Sequence, residues 1–440
     1  MLFFGVLQGG ILSPKLFNEF MSDLPKYLDS KDGIEINSTD FTHLLYADDI
    51  VLISGSAAGL QNSIDSLHNL CAIWHLTVNT SKTKVMKIGS KCTVDFRCNN
   101  QIIEIVNSYK YLGHVLNSHR TLHNKMPEYL VNQAQKALFA LQSRIKPSLV
   151  YIPPSLAIKM FDSYILPILE YNSMLWCMGK QHNDMEKVQI RYLKSLLGVR
   201  KQTPTLAVYA ETGRFPLIVR QKINMIKYWG RLMSLPSYDI LNKCLKIQES
   251  LYIKGQTNWY NKTIHIINEC NINSWETKEP GTLVSEIKLK LYESEQSRIL
   301  SEINDSEKHP KLRTYKLFKT TYCFEPYLNL NLPKKTYNNI ARFRLSSHNL
   351  KIETGRHETP KIPLEERKCN KCDSNEVEDE LHCLLICNNY AEPRNQLILK
   401  ANKLIPNFHN LDKIHQFKAL MSNKEPEMIY ALGNFLNKVM

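Results

Sequence analysis

Two adjacent carboxylates, Asp48 and Asp49, stand between two apolar runs in Phe41 to Ser54, FTHLLYADDIVLIS, and this placement restricts the fold more than any other pattern in the chain. Runs so short, with β-branched residues leading out of the acidic pair, predict two buried strands joined by a tight turn: a hairpin with acid at its tip. Like charges beside a core repel each other and lose hydration, so they stay ionised only where a cation or strong donors compensate them. A divalent metal would do so. Successive residues of a regular strand face opposite sides, which makes Asp48 the expected direct ligand, with Asp49 joining it only if the turn re-aims its side chain. An acidic turn without metal is the alternative, since Asp favours turns. The dipeptide alone does not decide between them.

The surrounding residues predict an α+β layer up to about residue 118. Ser13 and Pro14 open an amphipathic helix running to about Pro25, with Leu16, Phe17, Phe20, Met21 and Leu24 at helical spacing and Gln8-Gly9-Gly10 just before it. Ile34 to Ile36 is expected to join the two strands of the acidic hairpin in an antiparallel three-stranded unit. A helix from Ala57 carries Leu60, Ile64, Leu67, Cys71 and Trp74 on one face. Strands are then expected at Val85 to Ile88, Thr93 to Phe96, Ile102 to Val106 and, as one segment with a central Gly113, Tyr109 to Leu116.

Beyond the sheet the pattern is helical: Asn124 to Ile145, Ser155 to Met178, Asp184 to Leu197, then most of 205–275, with Tyr228-Trp229 and Trp259-Tyr260 as packing anchors. Lys278-Glu279-Pro280-Gly281 reads as a linker. Lys136, Arg144, Lys146, Lys187, Arg191, Lys194, Arg200 and Lys201 are interleaved with Tyr151, Tyr164, Tyr171, Trp176 and Tyr192, a mixture suited to a duplex backbone. Here composition matters: 56 Lys and Arg against 42 Asp and Glu give +14 and a pI near 9.1, which favours a polyanionic partner, nucleic acid first. Eleven cysteines, seven of them scattered singly, fit a reducing, intracellular compartment rather than a secreted disulfide framework. The opening residues show no secretory pattern, and no apolar run is long enough to span a membrane.

A second constellation is Cys369-x2-Cys372-x9-His382-x4-Cys387. Two close cysteines form one knuckle, and a histidine and cysteine five apart reach the same point from a helix or tight loop, giving the three-thiolate, one-imidazole set of a structural Zn2+. Cys383 neighbours His382 and on a helix would point about 100° away, so it is expected to stand aside.

Four stretches in this order, GVLQGGILSPKLF, LLYADDIVL, WHLTVNTSKTKVM and YKYLG, resemble the later palm motifs of reverse transcriptases of LINE-class (non-LTR) retrotransposons. FRLSSHNLKIETGRH and EDELHCLLIC resemble the carboxy-terminal region of the same proteins, which bears a Cys-Cys-His-Cys motif. The resemblance implies RNA-directed DNA polymerase activity, with an RNA template, a DNA primer or target and dNTP as partners. It places Gln8, Gly9, Gly10, Tyr46 and Asn79 at template and nucleotide, and Asp48, Asp49 and Lys82 at the chemistry. Asp48 would hold Mg2+ (or Mn2+) with Asp49 beside it, and Tyr111, Leu112 and Gly113 would form the primer grip. In that family the fingers and a further metal-binding aspartate precede the Gln-Gly loop, and Met1 to Leu7 has no room for them. The expectation is a partial palm over 1–118, a helical thumb over 119–200 and a helical connection over 201–280. A helical region over 281–364, a zinc knuckle over 365–392 and terminal helices over 393–440 follow. Such a chain would be inactive alone, in nucleus or cytoplasm, and a non-catalytic nucleic-acid-binding remnant or a decayed element copy are the other readings.

Overall fold

The computed structural model describes residues 7, 9–36, 38–89, 94–119, 123–145, 152–178 and 182–440. Gln8, Cys92, Thr93, Lys146 and Tyr151 lie outside them. The chain divides into two compact units, Met1–Met126 with Arg231–Lys262, and Pro127–Gly230 with Thr263–Met440. It is of the α+β class, as the residue pattern implies.

In the first unit, α1 (Ser13–Met21) is followed by β1 (Ile34–Ile36), β2 (Thr39–Phe41), β3 (His43–Tyr46), β4 (Asp49–Leu52) and α2 (Ala57–Ile73). Then come β5 (Lys84–Val85), β6 (Phe96–Cys98), β7 (Gln101–Ile105), β8 (Ser108–Tyr111) and β9 (His114–Asn117). Ser56 caps α2 by accepting a hydrogen bond from Gly59 N, and the apolar stripe of α2 buries Ile64, Leu67, Leu70 and Cys71. Leu67, Leu70 and Cys71 pack with Met21, Leu24 and Leu28 and with Leu45, Ile50 and Leu52 of the acidic hairpin. Each large apolar side chain so buried contributes about 1.5–3 kcal/mol, which fixes the hairpin's inner face against α2.

The small sheets depart from expectation. β1 pairs with β2 as a separate antiparallel hairpin, and β3 pairs only with β4, so the three-stranded unit does not form. Ser38, at φ +57°, helps reverse the chain between β1 and β2 and gives β1 a local partner. Tyr109 to Leu116 is likewise a hairpin, β8 against β9, because Leu112 and Gly113 both take positive φ (46° and 78°), the signature of a two-residue turn. Asn99 and Asn100 make the same kind of turn between β6 and β7. β5 is shorter than expected and pairs in parallel with β7, where Lys84 and Glu104 face each other at 2.7 Å.

The helices of the second unit are α3 (Met126–Ile145, opening at its boundary), α4 (Pro154–Tyr164), α5 (Leu166–Leu169), α6 (Ser173–Trp176), α7 (Asn183–Leu197) and α8 (Thr205–Thr212). Next are α9 (Leu217–Met233, in the second unit up to Gly230), α10 (Ile240–Ile253, within the first unit), α11 (Trp259–Glu269, in the second unit from Thr263), α12 (Pro280–Asn304), α13 (Tyr315–Phe318) and α14 (Lys334–Arg344). The last are α15 (Lys351–Thr354), α16 (Ala391–Leu404), α17 (Lys413–Met421) and α18 (Pro426–Val439). The helix expected from Ser155 to Met178 is broken into three, at Ile165 ahead of Pro167 and at the left-handed Asn172. The expected linker at Lys278 to Gly281 is instead a helix start: Glu279 accepts from Gly281 N and Thr282 N, and Pro280 occupies the first turn of α12. No helix among the described residues is long and apolar enough to cross a membrane.

One core runs through the second unit, from Ile158 through Leu193, Tyr209, Ile299, Tyr315 and Phe343 to Phe417 and Leu436. Cys369, Cys383, Leu384, Leu385 and Cys387 belong to it, so the Cys/His segment is built into this core. Charges are buried in the same unit. Arg344 meets Glu211 at 2.5 Å and Glu325 at 2.8 Å, and Glu325 also holds Lys319. Burial by itself would raise the Glu325 carboxyl; Arg344 and Lys319 outweigh it and hold the group below its usual range.

Candidate functional site

The acidic hairpin forms where expected, with Tyr46 opposite Asp49 and Ala47-Asp48 as the two-residue turn. Ala47 takes φ +52°. Leu45 and Ile50 face each other toward the core, while Leu44, Val51, Tyr46 and Asp49 share the other face. Tyr46 is 64% exposed, and Asp48 and Asp49 are both exposed. The strands are therefore half-buried, not buried, and the carboxylates keep their water. Desolvation does not demand a cation here. Among the described residues no third carboxylate, histidine or cysteine joins them in a ligand group.

The neighbouring motifs also end in exposed turns. Asn79 closes its turn by accepting at Oδ1 from Lys82 N at 3.2 Å and Ser81 Oγ at 2.7 Å, leaving the Lys82 side chain exposed. The Tyr109 hydroxyl donates to Lys82 O at 3.3 Å, which ties this turn to β8. Burial raises the Tyr111 phenol, and the charge of Asp49 adds to the shift. Gly9 has φ +80°, and a Cβ on Gly10 would stand 2.6 Å from Ser13 Oγ, which donates to Leu7 O. The positive φ favours glycine at position 9, and a side chain at position 10 would displace the Ser13 hydroxyl as the loop folds back on the start of α1. Gln8 lies outside the described residues.

The basic and aromatic helices divide differently from the sequence reading. Trp176 is buried with its indole N–H on Tyr171 O, and Tyr192 donates to Ala157 O, so both serve packing. Tyr164 and Tyr171 remain exposed.

The Cys/His cluster is of another kind. Cys369, Cys372, His382 and Cys387 offer four ligand atoms that all lie within 4.8 Å of one another. Cys369 Sγ and Cys387 Sγ are 3.9 Å apart, and Cys372 Sγ and His382 Nε2 are 3.4 Å apart. Tetrahedral zinc with Zn–S ~2.3 Å and Zn–N ~2.0 Å has edges of about 3.8 and 3.6 Å, so the donor set fits that ion.

Local structure explains the convergence. The chain from Arg367 to Glu378 folds back on itself through Cys369 N to Glu376 O (2.8 Å) and Glu378 N to Arg367 O (2.9 Å), lifting both cysteines of the knuckle to one end. His382–Ile386 is a π turn closed by Cys387 N to His382 O at 2.8 Å. In an α-helix residues five apart sit roughly 140° apart around the axis, whereas an i→i+5 bond returns the fifth residue over the first. The π turn thus aims His382 and Cys387 at one point, and Arg394 braces it by donating to Leu384 O and Cys387 O. Cys383 points into the core instead, where burial pushes its thiol far up.

His382 Nδ1 meets Glu376 Oε2 at 3.0 Å, which fixes the ring with Nε2 toward the thiols, the arrangement that makes imidazole a better ligand. The Ser374 hydroxyl beside Cys372 brings that thiol down to about 6, while burial pushes Cys387 up to about 12. Glu376, Ser374 and Arg394 were not legible as site residues, because their places depend on the hairpin register and the π turn.

Known proteins resemble this chain over part of its length. Residues 2–116 match the family described as reverse transcriptase (RNA-dependent DNA polymerase). An uncharacterized transposon-derived protein of Caenorhabditis elegans is 28% identical over 201 residues, 44% of this chain and 70% of that protein. The RNA-directed DNA polymerase from mobile element jockey of Drosophila melanogaster is 25% identical over 202 residues, 44% of this chain and 21% of that protein. A retrovirus-related Pol polyprotein from a type-2 retrotransposable element of the same fly is 35% identical over 94 residues, 20% and 9% of the two chains. The match thus spans about a fifth or less of these fly polymerases.

Proposed function

From a chain that over residues 2–116 belongs to the LINE-class reverse transcriptases, we propose that the protein is the template- and primer-handling part of an RNA-directed DNA polymerase. The acidic hairpin would contribute one arm of its metal site. The observations that carry this reading are the match of residues 2–116 to the reverse transcriptase family and the exposed Tyr-Ala-Asp-Asp turn at the tip of the β3–β4 hairpin. Tyr46, Gly9 and Gly10 would face template and nucleotide, Lys82 the nucleotide phosphates, and Tyr111, Leu112 and Gly113 the primer strand. Gln8 shares the first of these roles by resemblance alone.

Two-ion nucleotidyl transfer needs carboxylates from two strands to bridge both cations. Asp48 and Asp49 come from one turn and have no third partner among the described residues, so they do not fit a complete Mg2+ site. Nucleic-acid binding does not depend on that site, and the partial palm, helical thumb and Cys/His region would carry it alone. Cys369, Cys372, His382 and Cys387 would hold Zn2+, whose chemistry is to cross-link the knuckle to the π turn. The test is primer extension on an RNA template in magnesium, paired with binding of an RNA–DNA hybrid. The purified chain should bind the hybrid with steep salt dependence and fail to extend it. Extension abolished by Asp48→Ala would show that another residue completes the site, and absence of salt-sensitive binding would remove the reading.

A further inference from the structure

The loop that follows α7 gathers positive charge that no acid offsets. Lys194 and Arg200 are half-buried there and Lys201 is exposed, and Arg342 reaches the same loop from α14. Arg342 Nε donates to Gly198 O at 2.6 Å, and Lys194 Nζ donates to Lys201 O at 2.8 Å. The Arg200 guanidinium donates to Asn349 Oδ1. Among the described residues none of these four cations has a carboxylate partner, whereas Arg214, Arg220 and Lys222 of the same unit each hold one. Burial lowers the Lys194 amine, with no neighbouring acid to raise it again.

The backbone fixes this group in place. Arg200 N donates to Ser347 Oγ at 2.8 Å and Ser347 N to Arg342 O at 2.8 Å, so with the Arg342 bond to Gly198 the two segments close a ring of hydrogen bonds. A Cβ on Gly198 would stand 2.7 Å from the Asn338 side chain, which puts α14 directly against the loop. The negative end of α7 favours a cation nearby, and Arg342 on Gly198 O meets that need. It does not explain Arg200, whose side chain turns to Asn349, or Lys201, whose side chain stands in water. Arg200 and Arg342 each use an N–H on a neutral acceptor and keep the rest of the fork for a ligand. Gly198 and Lys201 are three residues apart, at most about 11 Å of chain. Guanidinium forks match phosphate oxygens bidentately, lysine adds a point charge, and one polynucleotide strand repeats its phosphates about every 3.4 Å along the axis.

We propose, on the nucleic-acid reading above, that Lys194, Arg200, Lys201 and Arg342 form a phosphate-contact site for a polynucleotide backbone. The test uses the full chain and a labelled RNA–DNA hybrid, with fluorescence anisotropy over a salt series. Zinc content and melting temperature monitor folding. Arg200→Gln with Lys201→Gln should weaken binding by roughly tenfold at low salt and lower the slope of log K against log salt by about two. Lys222→Gln with Lys308→Gln removes the same charge from cations already paired, with Glu269 at 2.6 Å and Asp305 at 3.3 Å, and should leave both quantities unchanged. Lys201→Gln alone should lower the slope by about one, and it decides the matter if the double variant at the loop misfolds. Unchanged affinity and slope in folded loop variants, or an equal loss in the paired-cation control, would overturn the site while leaving the general reading intact. A wild-type chain that binds no hybrid would overturn both.

Discussion

The acidic hairpin and the Cys/His knuckle were both suggested by short motifs rich in metal-ligating residues, and the structure builds them in opposite ways. At the hairpin two carboxylates stand in water on a two-residue turn, anchored by Leu45 and Ile50 behind them. At the knuckle four donors converge within 4.8 Å, three of them buried, with Glu376 orienting the histidine and Arg394 bracing the turn. A structural ion is enclosed by ligands that one stretch of chain supplies. A catalytic ion must stay open to substrate, so its protein ligands are few and come from separate strands. The contrast teaches that donor chemistry names the metal, while enclosure tells whether the site stands alone.

The comparison breaks first at the knuckle. His382→Ala or Cys387→Ser should reduce bound zinc from one per chain to none, and loss of a structural ion costs of the order of ~10 kcal/mol in finger-like peptides. Because the π turn shares the core of the second unit, melting followed by circular dichroism should show that unit destabilised, and not only a loop. A smaller effect is expected at Arg344→Ala, which leaves Glu211 buried without its cation and Glu325 with Lys319 alone. About 3–5 kcal/mol should be lost in urea unfolding. The pH dependence follows from the same pair. The Glu325 carboxyl is held below its ordinary 4.5, so its contribution is present above that pH and is lost as pH falls through the lower folded value. The urea midpoint of Arg344→Ala should accordingly vary less with acid than that of the wild type.

Cys383→Ser should keep one zinc and cost about 1–3 kcal/mol, since a hydroxyl would be buried where the thiol has apolar neighbours. The smallest effect is at the other site. Asp48→Asn with Asp49→Asn should change stability by no more than about 0.5 kcal/mol in the same urea assay, because both side chains are exposed. A large loss there would mean that the acids do structural work.

Much of this was legible in the residues. Helical spacing located α2 and α3 well, and the Cys-x2-Cys spacing picked out four donors that do meet. Alternation alone could not say which strands pair. Turn residues decided that, with Leu112 adopting a positive φ that its side chain gives no reason to expect. Proline misled in one place: Lys-Glu-Pro-Gly reads as a break, yet Glu279 and Pro280 begin a helix of 25 residues. Asp48 and Asp49 escape desolvation because their apolar neighbours in sequence sit on the strands, while the turn carries the acids clear of them. The ion pairs of Arg313 with the buried Glu353 and Glu380 join residues far apart in the chain, beyond the reach of any local pattern.

The most direct test is metal stoichiometry of the full chain, with zinc measured by elemental analysis and manganese by titration in the spectrometer as a stand-in for magnesium. One tightly held zinc that survives Asp48→Ala with Asp49→Ala, is lost in His382→Ala, and is accompanied by no saturable manganese site is the expected result. Zinc retained by His382→Ala, or a saturable manganese site abolished by Asp48→Ala, would contradict the division between a self-sufficient knuckle and an incomplete acidic site.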